Sequence, residues 1–335
     1  SYQYGLDNDK HWRCFAEHCK ATTFADLPSD YLAAKWRFHP AEFITVMRRC
    51  GWLNETEFTQ LLPQNAIRKS RGVVLWEFIS SAATSRTIKY HRIPLNRALR
   101  KWCIDTPLRQ ATFFGNSVQE TQWWSLLAEA SGSSLWYAPW YGRGFLQLTN
   151  PDNYVAYWRY RARTIPEALH AQMVNAYEQI ASMAPASREN SGLQDINFPA
   201  LTSEMKAWRA HIEGIPREGN KEAKFAPSDS AGYYWAKNNM SKEADRTHVL
   251  ERVTIQTNKG NKIYYRSQGF WRASATVNLP TAVKRTNYTG INGFDARCVA
   301  YGYALAVLTE MRFANSSGQI DLFFPDSHSP RRDAK

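Results

Sequence analysis

The sequence predicts a mainly α-helical protein that carries a small β-hairpin element. In several segments the apolar residues recur at spacings of three and four, as on one face of a helix. Helix start signals precede some of these segments. Residues 253–266 alternate instead, around a turn at 258–261, which predicts a hairpin. Hydrophobic residues make up 44% of the 335 residues and charged residues 21%, so we expect a folded chain with a substantial core.

The first 94 residues are expected to form a helical N-terminal extension. Pro40 stands just inside a predicted helix start, and apolar residues follow it at helical spacing. Asn54 followed by Glu57 has the pattern of a capping box at the start of a second helix. We expect this extension to pack on a catalytic domain over residues 95–320, with an insertion at about 160–228. Residues 321–335 read as a polar tail.

The following elements are predicted in chain order. Residues 96–102 are helical, and Thr106-Pro107 starts the next helix, which is expected to continue to about residue 129. A Ser/Gly loop follows, and the glycine-containing stretch 141–154 reads as a small hairpin or extended loop that leads into a helix at Asp152. Further helices are expected at 168–183, 230–246 and 298–311.

Composition limits the classes of binding partner but does not identify one. The net charge of +12 indicates either simple solubility or a polyanionic partner: nucleic acid, anionic lipid or a bacterial cell wall. The 13 tryptophans fill a core, line a sugar-binding groove, or do both. Basic residues are spread along the chain rather than clustered in one arm, which argues against a nucleic-acid partner. No segment approaches the ~20 apolar residues of a membrane span.

The five cysteines show neither a disulfide framework nor a zinc signature, so we expect no metal and no cofactor. Mostly buried free thiols are the expected state, with a local Cys14–Cys19 bridge or bridges between other pairs as the alternative. No signal peptide is evident at Ser1, which we interpret as trimming or another export route.

Glu120 and Glu129 are candidate catalytic groups, because glycoside hydrolysis usually needs two carboxyl groups. Aromatic residues surround Glu120 in sequence, and an apolar environment favours a protonated acid. On one straight helix, however, nine residues would turn the second side chain by about 180° and shift it about 13 Å. The helix must therefore end or bend before Glu129 if both act; otherwise the two are solvated surface charges.

Two segments resemble glycoside hydrolase family 19, the chitinases and related endolysins. ATFFGNSVQETQWW (111–124) is similar to the catalytic segment of that family, with Gln119 in place of its usual His. YGRGFLQLTNPDNY (141–154) closely resembles the YGRGPxQLTxxxNY loop of the family. Weaker similarity is found at 230–246 and at TGINGF (289–294), where Phe294 replaces a glycine. The resemblance covers about 95–312 and implies a two-lobed, lysozyme-like fold.

The resemblance assigns roles to individual residues. Glu120 takes the position of the general acid, Glu129 that of the general base, and Thr149 that of the hydroxyl that holds the attacking water. The substrate-contacting positions fall on Tyr141, Gln147, Asn153, Tyr154, Asn292 and, beside the acid, Trp124. For Gln147 and Asn153 the alternative role is stabilisation of the loop. Arg143, between two glycines, is expected to brace the loop rather than to bind substrate.

The resemblance implies an inverting hydrolase of β-1,4 bonds between amino sugars. Net positive charge favours peptidoglycan glycan strands over chitin. WRFHPAEFI (36–44) resembles segments of type VI secretion effectors, which implies an antibacterial toxin with an immunity protein and a secretion apparatus as partners. Such a protein would be secreted or injected and would act in the periplasm or cell wall of the target bacterium. A chitinase and a non-catalytic cell-wall-binding protein remain the alternatives.

Overall fold

The computed structural model describes residues 13–14, 16–17, 20, 29–33, 51–216, 219–246, 249–309, 313–314 and 320–321. The chain divides into two compact units, Ser1–Cys50 and Gly51–Lys335. In the first unit a short helix spans Ser29–Ala33. The helix predicted after Pro40 and the segment WRFHPAEFI lie outside the described residues.

The second unit is mainly helical, as predicted. Its helices are α1 (Glu55–Gln60), α2 (Ala82–Lys101), α3 (Pro107–Glu120), α4 (Pro151–Tyr160), α5 (Glu167–Ser182), α6 (Ser203–His211), α7 (Lys221–Lys237), α8 (Met240–Ala244), α9 (Gln268–Asn278) and α10 (Phe294–Thr309). Its strands pair as antiparallel hairpins: β1 (Asn65–Ser70) with β2 (Val73–Phe78), β3 (Glu251–Thr257) with β4 (Gly260–Arg266), and β5 (Phe313–Ala314) with β6 (Ile320–Asp321).

Several predicted elements are confirmed, because local signals decided them. Asn54 and Glu57 form the capping box: the Asn54 side chain accepts from the Glu57 amide at 2.9 Å, and Glu57 accepts from the Asn54 amide at 2.7 Å. Thr106 caps α3 ahead of Pro107. The β3–β4 hairpin turns where the sequence predicted it, and Asn258 in this turn also binds β2, accepting from the Trp76 amide at 2.8 Å. The β1–β2 hairpin was not predicted.

The helix predicted over 108–129 is too long. It ends at Glu120, because Gln122, Trp123 and Trp124 all have φ between 47° and 59°, a left-handed conformation that no α-helix can contain. The predicted helix 230–246 is likewise divided, by Asn239 at φ 51°. Asparagine is one of the few residues that adopts this conformation readily, whereas two consecutive tryptophans gave no such signal.

The boundary expected between residues 94 and 95 falls inside α2, and the structure divides the chain after Cys50 instead. Residues from 53 onward contribute to the first of two buried clusters, which surrounds α3, α9 and α10. The second cluster joins α4 to the inserted region, through residues such as Trp158, Met173 and Met205. The insertion therefore shares a second core with α4 and the loop before it.

Two of the three cysteines that the structure describes are exposed, Cys14 and Cys103, and only Cys298 is buried, so the expectation of mostly buried thiols is wrong for these three. Burial raises the pKa of the Cys298 thiol. Cys19 and Cys50 lie outside the described residues. Within the described chain, no helix combines the length and the apolar character that a membrane span requires.

Glycine 115 lets α3 and α10 approach each other closely. A Cβ at this position would stand 2.8 Å from Phe270 Cζ and 2.8 Å from Tyr301 Cβ. Gly302, also helical and buried, differs, because a Cβ there would stand 3.8 Å from its nearest neighbour, Tyr265 Cβ, an ordinary contact distance. Packing therefore requires glycine at position 115 but not at position 302, so the same substitution can be compared at the two positions.

We expect Gly115→Ala to lower the free energy of unfolding by about 1–3 kcal/mol, because the added methyl overpacks the interface. Gly302→Ala should raise it by up to about 1 kcal/mol, because alanine favours helix. Urea unfolding followed by circular dichroism measures both. Equal effects of the two substitutions would contradict the role assigned to Gly115.

Candidate active site

Both candidate carboxylates line one cleft of about 740 Å³. Glu120 stands at the last residue of α3, and Glu129 lies in the irregular segment that follows. Asn292 lines the same cleft from the segment before α10. Of the residues that the sequence singled out, these three are brought together.

Glu120 is held by an arginine that the sequence analysis missed. Arg297 Nη2 donates to Glu120 Oε1 at 2.5 Å. The arginine side chain is only 2% exposed and that of Glu120 is 15% exposed, so little water competes with this contact. Charge-assisted hydrogen bonds of this kind fix a carboxylate more strongly than neutral ones do.

The remaining donors of Arg297 also have partners. Nη1 donates to Asn116 Oδ1 at 3.1 Å, and Nε donates to the carbonyl of Asn292 at 3.3 Å. Arg297 therefore connects two turns of α3 to the Asn292 wall of the cleft. The sequence did contain a signal for a buried ion pair here, because Arg297 is the one charged residue of the otherwise apolar run 296–309. A lone charge in such a run needs a buried partner.

The left-handed turn after Glu120 is fixed by its own tryptophans. Trp123 Nε1 donates to the carbonyl of Pro63 at 3.1 Å, and the Thr84 hydroxyl donates to the Trp123 carbonyl at 2.6 Å. Trp124 Nε1 donates to the Ser117 hydroxyl at 3.0 Å. The condition for cooperation between the two glutamates is met, since the helix ends before Glu129.

Glu129 is oriented by two donors. Tyr137 Oη donates to Oε1 at 2.8 Å, and the backbone amide of Gly142 donates to Oε2 at 3.0 Å. The Glu129 amide in turn donates to the Gly142 carbonyl at 2.9 Å. Burial raises the pKa of Tyr137, and the neighbouring Glu129 charge adds to the effect, so this hydroxyl remains a donor at neutral pH. Each oxygen of Glu129 keeps acceptor capacity for a water molecule.

Polar and basic groups form the other walls of the cleft. Arg68 and Lys69 reach it from β1, and Lys69 pairs with Asp295 at 2.6 Å. In the Asn292 wall, the backbone amide of Asn292 donates to Asn278 Oδ1 at 2.9 Å. Burial, followed by a hydrogen bond to a glutamate, raises the pKa of Tyr288 in this wall to about 12.

The Gln119 side chain lies against Gly293, where a Cβ would stand 2.6 Å from Gln119 Nε2. Gly293 has φ 62°, which favours glycine on conformational grounds as well. Phe294, which replaces the second glycine of the motif, is buried and packs edge-on against Trp271. This replacement therefore fills the core and leaves the cleft wall in place.

The 141–154 loop holds Glu129, the candidate base, through the Gly142 amide, and Arg143 braces the loop. Arg143 is 3% exposed; it donates to Glu213 at 2.8 Å, to the Tyr154 hydroxyl at 2.8 Å and to the Pro139 carbonyl at 2.9 Å. Its expected role as a brace is confirmed. The loop is extended with isolated bridges from Arg143, rather than a regular hairpin.

Several predicted substrate contacts serve the loop instead. Trp124 and Tyr154 are wholly buried, so neither can touch a sugar in this conformation. Thr149 donates to the Gln147 carbonyl, and Gln147 donates to the Gly144 carbonyl. Tyr141 donates to Glu213, and Asn153 donates to the Thr149 carbonyl. None of these six is among the residues that line the cleft. The five loop side chains bond to the loop itself or to Glu213, and the Trp124 indole bonds to Ser117 of α3.

Comparison with known proteins adds no relative. No family model matches the chain, and neither a curated protein nor a solved structure does. Within the described residues, no group of three or more His, Cys, Asp and Glu side chains could hold a metal ion. The family resemblance therefore stays a prediction that the sequence motifs carry.

We expect Arg297→Met to lower the free energy of unfolding by about 3 kcal/mol, because it leaves Glu120 without its buried partner. The double variant Arg297→Met with Glu120→Gln should lose less than the sum of the single variants. Urea unfolding of all four proteins measures the coupling.

The exposed pair Arg159–Glu167 is the control, with side chains 37% and 82% exposed. Arg159→Met should cost less than about 1 kcal/mol. Strictly additive losses at Arg297 and Glu120 would contradict the assigned pair.

Proposed function

We propose that this protein is a glycoside hydrolase that cleaves peptidoglycan glycan strands between amino sugars, with a lysozyme-like two-lobed fold. The observation that carries the proposal is the convergence of Glu120 and Glu129 on one cleft, each held by dedicated donors. Two hydrophobic clusters in the second unit are consistent with two lobes.

In this mechanism Arg297 holds Oε1 of Glu120, the second carboxyl oxygen of Glu120 protonates the oxygen that leaves, and Glu129 accepts a proton from the attacking water. Inversion needs room for that water between the carboxyl groups. Tyr137 and the Gly142 amide each bind one Glu129 oxygen, which leaves lone pairs for the water. Thr149 is not assigned to the water, because its hydroxyl donates to the Gln147 carbonyl.

Charge favours peptidoglycan over chitin as the substrate. The net charge of +12 attracts an anionic wall, whereas chitin is nearly neutral. On the cleft wall itself, the side chains of Arg68 and Lys69 are 46% and 66% exposed. The attraction should weaken with added salt. Action in the periplasm or cell wall of a target bacterium, as an effector or endolysin, is part of the same proposal.

We expect purified protein to reduce the turbidity of isolated sacculi, and Glu120→Gln and Glu129→Gln each to lower the rate on the order of 10³-fold, the usual range for loss of a general acid or base. Mass spectrometry of the released muropeptides identifies which glycosidic bond is cut.

Glu167→Gln is the matched control, because this glutamate is 82% exposed and lies outside the cleft. Equal rates for wild type and Glu120→Gln would end the enzymatic proposal in favour of a binding protein on the same fold. Colloidal chitin in parallel reactions tests the chitinase alternative: faster cleavage of chitin than of sacculi would favour it.

A further inference from the structure

We propose that a second concavity beside the cleft binds the peptide stem of the substrate, so that the enzyme prefers peptide-bearing glycan to bare glycan. This inference rests on the proposed function. The concavity has a volume of about 280 Å³ and is formed by α2, residues 125–128 and residues 213–216.

The concavity and the cleft border one shared ridge, residues 126–128. Leu126 and Ala128 line both spaces, and Glu129, at the end of this ridge, lines the cleft. A group attached to a sugar beside Glu129 would need to pass only this ridge to enter the second space. The peptide stem is such a group, since it branches from the lactyl side chain of alternate sugars.

The lining suits short peptides with small apolar side chains. Leu126 and Ile215 are 44% and 48% exposed, unusually high for leucine and isoleucine that stand side by side on one concavity. Pro216 and Tyr90 complete the apolar part. The volume is slightly below the ~300 Å³ where small-molecule pockets usually begin, so it accommodates part of a peptide rather than a whole ligand.

The charges at the rim fit an anion. Arg86 lines the concavity, and Lys224 Nζ stands 5.3 Å from the centre of the Tyr90 ring. Both side chains are exposed, and neither forms an ion pair with a described residue. Glu213, the acidic residue of the lining, is already bound by Arg143 and Tyr141. A peptide stem carries more carboxylates than amines, so these two cations, which have no ion-pair partner among the described residues, match it.

The first experiment compares two substrates: intact sacculi, and glycan strands from which an amidase has removed the peptides. We expect the double variant Arg86→Glu with Lys224→Glu to cut intact sacculi roughly tenfold more slowly than wild type, as loss of paired charges at a binding site does. The rate on stripped glycan should not change.

The control is Arg97→Glu with Arg100→Glu, which makes the same change in net charge. Both arginines are exposed on α2 and lie outside the concavity. This protein should act like wild type on both substrates. Equal slowing by the two double variants, or equal slowing on both substrates, would overturn the peptide site.

The second experiment does not depend on hydrolysis. Calorimetric titration of Glu120→Gln protein with muramyl tetrapeptide should give saturable binding, which N-acetylmuramic acid without peptide should not reproduce. The Arg86→Glu and Lys224→Glu changes should weaken this binding roughly tenfold. Failure of the tetrapeptide to bind overturns the peptide site whether or not sacculi are cleaved, whereas binding without cleavage counts against the hydrolase alone.

Discussion

The contact between α3 and α10 decides where the candidate acid stands. Gly115 lets the helices approach, and the buried Arg297 of α10 reaches the next residue of α3, Asn116, and one turn further on Glu120. A buried guanidinium is costly unless its donors are satisfied. The cost is offset only if α3 presents Glu120 at this register, so packing and chemistry constrain each other.

The second constraint is the left-handed turn that follows Glu120. If α3 continued, Glu129 would lie on the far side of the helix, well away from Glu120. Instead, three residues with positive φ reverse the chain, and the tryptophans among them anchor the turn to Pro63 and Ser117. Large aromatic side chains in a strained conformation are retained here because their indole N–H groups find partners inside the core.

Local signals in the sequence predicted much of the fold. The capping box at Asn54, the Thr106-Pro107 helix start and the 253–266 hairpin depend on neighbouring residues, so periodicity and turn chemistry found them. The sequence analysis did not predict where α3 ends, because this end depends on contacts of Trp123 with Thr84 and Pro63, which are far away in sequence. Tertiary contacts of this kind override local preference.

The candidate site, like the fold, could be predicted from the sequence only in part. The motifs placed Glu120, Glu129 and Asn292 on one cleft, but they could not separate residues that face substrate from residues that hold the loop. Tyr154 illustrates the limit: its position in a binding motif is compatible with either role, and only its complete burial against Arg143 decides. Arg297 was missed because its partner lies 177 residues away.

The residues that brace the loop beside Glu129 include one, Glu213, that also lines the second concavity. Glu213 lines that space and binds both Arg143 and Tyr141, the two residues that flank Gly142. The Gly142 amide is the donor that holds Glu129. A ligand that repels or attracts Glu213 would act on the two residues that flank the Gly142 donor of the base. Because the same carboxylate contacts the loop and lines the concavity, we expect occupation of the concavity to affect how Glu129 is held.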